Sequence, residues 1–173
     1  MCLQMSPNDI ESKIKECLQK LYERDSILFV RNNGKGLCER CIVFRFALYL
    51  QETFSGYFVD CDFNSALVNG QQVSGKPITQ PDRRTSRNRL VDIIVHNRTL
   101  RQGNDFICFE IKKWNNYDKN ASDKDKNNLK VLTREYGYRY GFYLIFGKTR
   151  QKTQWIIFQN GQPLNNEALV FHE

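Results

Sequence analysis

Three charged residues interrupt otherwise apolar stretches of this sequence. Asp92 stands in Val91-Asp92-Ile93-Ile94-Val95, and Glu110 and Lys112 stand in Phe106-Ile107-Cys108-Phe109-Glu110-Ile111-Lys112. On a β-strand, alternation puts Glu110 and Lys112 on one face and Phe109 and Ile111 on the other. Asp92 precedes Glu110 by 18 residues, a separation that fits neighbouring strands of a hairpin. In that register both carboxylates and the ammonium converge on one side of a sheet. Paired carboxylates offer hard oxygen ligands, which suit Mg²⁺ or Mn²⁺ rather than zinc. A lysine beside them can stabilise charge developing on a phosphoryl oxygen, or hold a deprotonated water. Such an array suits phosphodiester hydrolysis. Taken alone, Glu110-Ile111-Lys112 reads more simply as an intrastrand ion pair at a sheet edge.

The elements that would position these residues follow from periodicity. Ser6-Pro7 opens a first helix, with Ser as N-cap and Pro at the first helical position. Ile10, Ile14, Cys17, Leu18 and Leu21 continue it at helical spacing over about residues 7–25. A second helix is expected over about 37–54, with Val43, Phe46, Ala47 and Leu50 as its stripe and Leu37, Phe44 and Leu48 broadening it. The period then changes to two. A strand is expected over Tyr57–Phe63, a long polar loop over 64–89, and strands at Leu90–His96 and Phe106–Lys113. The turn Asn97–Asn104 between those two strands has hairpin length. A helix over about 122–136 and strands at Gly141–Phe146 and Gln154–Phe158 complete the order. The result is a single α/β domain with a central mixed sheet flanked by helices.

The whole chain is basic, with 26 Lys and Arg against 19 Asp and Glu in 173 residues, a net charge of +7. Arg83, Arg84, Arg87, Arg89, Arg98 and Arg101 fall in one 19-residue window whose sole acid is Asp92. Lys148, Arg150 and Lys152 add a second basic group. These charges allow a polyanionic partner, and equally describe a solvated loop. No apolar run approaches the roughly 18 residues of a membrane span, and the first seven residues lack the pattern of a secretory signal. We therefore expect a cytoplasmic protein with no membrane partner and with reduced thiols. Cys38-x-x-Cys41 has no second pair, and His96 and His172 lack zinc spacing to it, so it reads as two helix thiols. Cys17, Cys61 and Cys108 sit in apolar patterns and are expected in the core. Tyr136, Tyr138, Tyr140 and Tyr143 read as packing residues rather than a base-stacking platform.

Asp92 followed on the next strand by Glu110-Ile-Lys112 resembles the PD-(D/E)XK nuclease superfamily, whose fold is that of many restriction endonucleases. The helix Cys38-Glu39-Arg40-Cys41-Ile-Val-Phe-Arg45-Phe-Ala-Leu-Tyr-Leu50 is similar to the ER…R.A.YL helix of a bacterial branch. Val59-Asp60-Cys61-Asp62-Phe63-Asn64 is similar to that branch's VD.EYN segment. The similar stretches span about residues 36–146. Val91 stands where the motif has its naming proline.

The resemblance implies a restriction-endonuclease-like fold. It makes Asp92 and Glu110 the principal ligands of Mg²⁺ or Mn²⁺, with the backbone carbonyl of Ile111 as a third protein oxygen. Glu39 would reach the metal directly or through water, and Lys112 would orient or activate the attacking water. Without the resemblance, Glu39 reads as an exposed helix residue paired with a helix arginine. Arg83, Arg84, Arg87 and Arg89 lead into the Asp92 strand and would bind the phosphates of a nucleic acid, with DNA the expected substrate. Asp123, Lys124, Asp125 and Lys126 resemble the family's D..KL segment and read as a capped surface helix. No attached specificity domain is expected, so a homodimer or a targeting partner would supply targeting. The competing reading is an inactive nucleic-acid-binding module or interaction subunit of the same fold.

Overall fold

In the computed structural model the described residues are 5–29, 38–63, 65–68, 71–74, 77–78, 87–88, 90–98, 105–114, 118–165 and 168–171. They form three α-helices and a seven-stranded mixed sheet. Helix α1 spans Pro7–Arg24 and α2 spans Glu39–Thr53. The sheet takes β1 (Phe58–Phe63), β6 (Val91–His96), β7 (Asp105–Lys113), β8 (Tyr140–Phe146), β9 (Gln154–Gln159) and β10 (Gln162–Pro163), in that spatial order. The short β11 (Leu169–Val170) shares the outer edge of β9. All neighbours run antiparallel except β7 and β8. A parallel pair needs a crossover, and α3 (Lys119–Glu135) supplies it.

The ends of α1 and α2 confirm the expected bounds within two residues. Ser6 Oγ accepts the Asp9 amide at 3.2 Å while Asp9 accepts the Ser6 amide at 3.0 Å, a reciprocal cap that satisfies two orphan donors. The stripe of α2 differs from expectation. Ile42, Phe46, Ala47, Tyr49 and Leu50 are buried, Val43 is half-buried, and Phe44 and Leu48 face outward. At 100° per residue the stripe is centred one position from where an all-apolar count puts it. Tyr49 belongs to it because its hydroxyl donates to Asp25 at 2.5 Å.

Two further differences concern strands. The expected loop over 64–89 contains two small hairpins: β2 (Ser65–Val68) with β3 (Gln71–Ser74), and β4 (Pro77–Ile78) with β5 (Arg87–Asn88). β10 was not expected either. It folds back through Asn160 and Gly161, whose φ values of 51° and 78° are those of a tight hairpin turn. Helix α3 begins at Lys119, earlier than expected, because Asp118 caps it by accepting the Asn120 and Ala121 amides.

Helices α1 and α2 cover one face of the sheet and α3 the other. The α1/α2 core joins Ile10, Ile14 and Leu18 to Ile93, Ile107, Phe109, Ile111 and Phe142. The α3 core is smaller, joining Leu129 and Leu132 to Ile94, Cys108, Tyr143 and Phe158. From Ile107 to Lys112, alternation along β7 turns odd residues to the first core and even residues to the second, which puts Glu110 and Lys112 under α3.

Candidate active site

β7 carries Glu110 and Lys112, two of the residues that the sequence singles out. β6 pairs with it antiparallel, Ile93 opposite Phe109 and Ile94 opposite Cys108. Beyond Ile93 the backbone ladder gives way to a side chain. Asp92 Oδ2 accepts the Ile111 amide at 2.7 Å, which locks this carboxylate against the strand that carries Glu110 and Lys112. Burial pushes the Asp92 carboxyl up to about 6, the nearby Glu39 and Asp125 charges adding to the effect. The Ile111 amide and Lys112 act in the opposite sense. Glu110 is 3% exposed, a carboxylate deep in the sheet's α3 side.

Lys112 has a partner that sequence reasoning assigned to the surface. Its Nζ lies 2.8 Å from Asp125 Oδ2, and Asp125 is 1% exposed rather than solvated on a surface helix. Burial pulls the Lys112 ammonium down, but Asp125, together with Asp92 and Glu110, more than reverses this and holds it above its ordinary value. Lys112 therefore presents a positive charge to the carboxylates around it. The signal that could have found Asp125 is in the periodicity of α3. Ser122, Asp125, Leu129 and Leu132 lie on one buried stripe, polar in its first half and apolar in its second. Asn128 joins the polar half, and Ser122 Oγ and Asn128 Nδ2 are buried with no hydrogen-bond partner among the described residues. Such atoms are costly when dry.

Glu39 reaches the site from the other layer. It is the first residue of α2, where the helix N-terminus favours a carboxylate. Its Oε2 accepts the Lys113 amide at 3.0 Å, so it is half-buried at the end of β7 and not a free surface residue. Asp62 was not singled out as a site residue. It lies between the pairs Cys61–Ile93 and Phe63–Val91, across the ladder from Asp92, in a left-handed conformation with φ 51°. The structure thus brings together Glu39, Asp92, Glu110, Ile111 and Lys112, and adds Asp125.

The proposed phosphate-binding arginines are a different matter. Arg83, Arg84 and Arg89 lie outside the described residues, and Arg87 is described only as backbone in β5. Arg98 is engaged structurally, pairing with Asp60, which also meets His96 Nε2 at 2.7 Å. Arg98 and His96 hold the Asp60 carboxyl below its usual range. Cys17 and Cys108 are buried as expected, whereas Cys61 is exposed at an edge strand that no other strand covers among the described residues. Cys38 and Cys41 are exposed and free. Tyr136, Tyr138, Tyr140 and Tyr143 are all buried, as packing residues should be.

Among the described residues, no three His, Cys, Asp or Glu side chains close around one point as a ready-made metal cage. The chemistry of the donor set still fits a hard divalent cation, which takes one or two carboxylates and completes its shell with carbonyls and water. Asp92, Glu110 and Glu39 are the side chains that could supply it. No helix among the described residues is long and apolar enough to cross a membrane. No protein-family model matches the sequence, and no curated protein matches it.

Proposed function

We propose that this chain is a metal-dependent nuclease of the PD-(D/E)XK type, with a restriction-endonuclease-like arrangement of its mixed sheet, hydrolysing phosphodiester bonds in DNA. The observation that carries this reading is Lys112, a lysine kept charged by a buried carboxylate on the same sheet face as Asp92 and Glu110. An ion pair serving stability alone gains little from being buried, since apolar residues of similar volume do as well. A positive charge fixed beside two carboxylates is what an attacking water and a phosphodiester need.

Asp92 and Glu110 would hold Mg²⁺ or Mn²⁺ with the Ile111 carbonyl, and Glu39 would complete the set directly or through water. A bound cation supplies charge stabilisation at the phosphoryl oxygens and lowers the pKa of water. Lys112 Nζ orients the attacking water and offsets the negative charge that grows on the phosphoryl oxygens. Asp125 is a positioning residue that keeps Lys112 charged and aimed, and the Ile111 amide does the same for Asp92. The arginines at 83, 84, 87 and 89 would bind flanking phosphates.

Incubating circular and linear DNA with Mg²⁺ or Mn²⁺, against EDTA and a Lys112→Ala protein, tests this directly. Cutting that needs the metal and falls about 100-fold or more in the variant is expected. No cutting of DNA or RNA, or cutting that survives Lys112→Ala, overturns the reading in favour of an inactive nucleic-acid-binding module.

A further inference from the structure

The sheet register places a second feature beside the carboxylate cluster. β7 and β8 pair so that Glu110 faces Tyr143 and Lys112 faces Ile145. β8 and β9 then pair Tyr143 with Ile156 and Ile145 with Gln154. Register partners share a face, so these side chains lie on the α3 side, one and two strands from the charged cluster. They form the floor of a groove of about 480 Å³. Lys126 of α3 and Lys152 stand at its rim, and Trp114, just past the end of β7, closes one wall. No acidic residue lines the groove among the described residues.

The groove combines two kinds of surface. Its floor is apolar, with Ile145 and Ile156 half-buried rather than sealed into the core. Its rim is cationic, and neither lysine is held in an ion pair among the described residues. Lys126 Nζ lies instead 5.3 Å from the centre of the Tyr143 ring, an arrangement that leaves its charge available to an anion. Apolar surface from Ile145 and Ile156 beside two lysines, with Gln154 as an amide donor and acceptor, matches one nucleotide: the base on the isoleucines, the phosphates at the lysines. Base pairs in a duplex are stacked on both sides and cannot lie on such a floor, whereas an unpaired base can.

We infer that this groove binds one unpaired nucleotide next to the scissile phosphate, its base on Ile145 and Ile156 and its phosphates between Lys126 and Lys152. The substrate class is accordingly a single strand, or a strand locally unpaired at the cut. This rests on the proposed nuclease reading for what lies next door, but not for the binding itself.

The test is fluorescence anisotropy of a labelled ten-nucleotide single-stranded DNA and of the matching duplex, with the full chain in EDTA. Three proteins are compared: wild type, Lys126→Glu/Lys152→Glu, and Lys20→Glu/Lys130→Glu as a control of equal charge change. Single-strand affinity is expected to fall about tenfold or more in the first double variant, and much less in the control. Wild type is expected to prefer the single strand. Equal losses in both double variants would mean bulk charge alone and overturn the groove. Duplex binding as tight as single-strand binding would overturn the unpaired base. Cleavage in Mg²⁺ is scored separately. An oligonucleotide held normally but never cut counts against the nuclease and leaves the groove standing. Normal cutting with unchanged affinity in Lys126→Glu/Lys152→Glu does the reverse.

Discussion

The two faces of the central sheet are built from the same strands by opposite rules. Under α1 and α2, the inward residues Ile107, Phe109 and Ile111 of β7 are apolar, with a buried Lys113 only at the strand's end, and aromatic rings interlock: Phe46 meets Phe109 at 5.8 Å and Phe146 at 5.6 Å, edge to face in both cases. Under α3, the same strand turns Cys108, Glu110 and Lys112 inward, and the helix answers with Ser122, Asp125 and Asn128. Glu110, Ser122, Asp125 and Asn128 are each 3% exposed or less, so solvent exposure cannot explain their polarity. Buried charge costs several kcal/mol per ion before pairing repays any of it. A fold accepts that cost where the charges act on something. The contrast teaches that one layer holds the sheet together while the other is organised around charge, and that alternation along a single strand is enough to separate the two.

The sharpest way to break the comparison is to attack the dry face first. Phe46→Ala should destabilise the protein by about 4 kcal/mol through lost burial and a residual cavity, read as a shifted urea midpoint. A loss below about 1 kcal/mol would mean that the aromatic interlock carries little. On the charged face, Lys112→Met or Asp125→Leu alone should cost about 3 kcal/mol, because each strands its buried partner. The double variant should recover most of that loss while cleaving no DNA. Additive losses in the double-mutant cycle would show that the 2.8 Å contact has no energetic coupling.

The pH dependence sharpens the contrast further. Asp92 titrates near 6 in the folded protein and near 3.8 without the fold. Its raised pKa makes stability greatest below about pH 4, where both states are protonated, and removes it as pH rises through 6. The loss is at most about 3 kcal/mol, less to the extent that solvent reaches the carboxylate. Urea unfolding of metal-free protein at pH 4.5 and 7.5 should show this component, and Asp92→Asn should abolish it. A slope unchanged in Asp92→Asn would assign the pH dependence elsewhere. The smallest effect is expected far from both faces. Ser6→Ala removes one half of the α1 cap and should cost about 1 kcal/mol, with no change in DNA cleavage.

Much of this organisation is legible in the sequence because it rests on periodicity. The alternation around Asp92 and Glu110 predicts their strands, their antiparallel pairing and their shared face. Ser6-Pro7 predicts the start of α1. What escapes is of two kinds. Local turn chemistry outranks composition in 64–89, where Asn69-Gly70 stands in the sequence between β2 and β3 despite the segment's polarity. Asn160-Gly161 carries the same signal between β9 and β10. Partner identity is the second kind. Asp125 looks like one of many charges in Asp123-Lys124-Asp125-Lys126, and only the stripe it shares with Leu129 and Leu132 reveals that it turns inward. Phe44 and Leu48 err in the other direction, since an apolar side chain at the margin of a helix stripe carries no mark of which side of the boundary it takes.

The charged face is the core of this account, and calorimetric titration of the metal-free protein with Mn²⁺ addresses it most directly. Wild type should bind at a site that Asp92→Asn and Glu110→Gln each abolish or weaken severely. Lys112→Met, which removes the competing positive charge, should keep it. No Mn²⁺ binding by wild type, or binding indifferent to both carboxylate substitutions, would contradict the assignment of this face to a metal-dependent hydrolytic site.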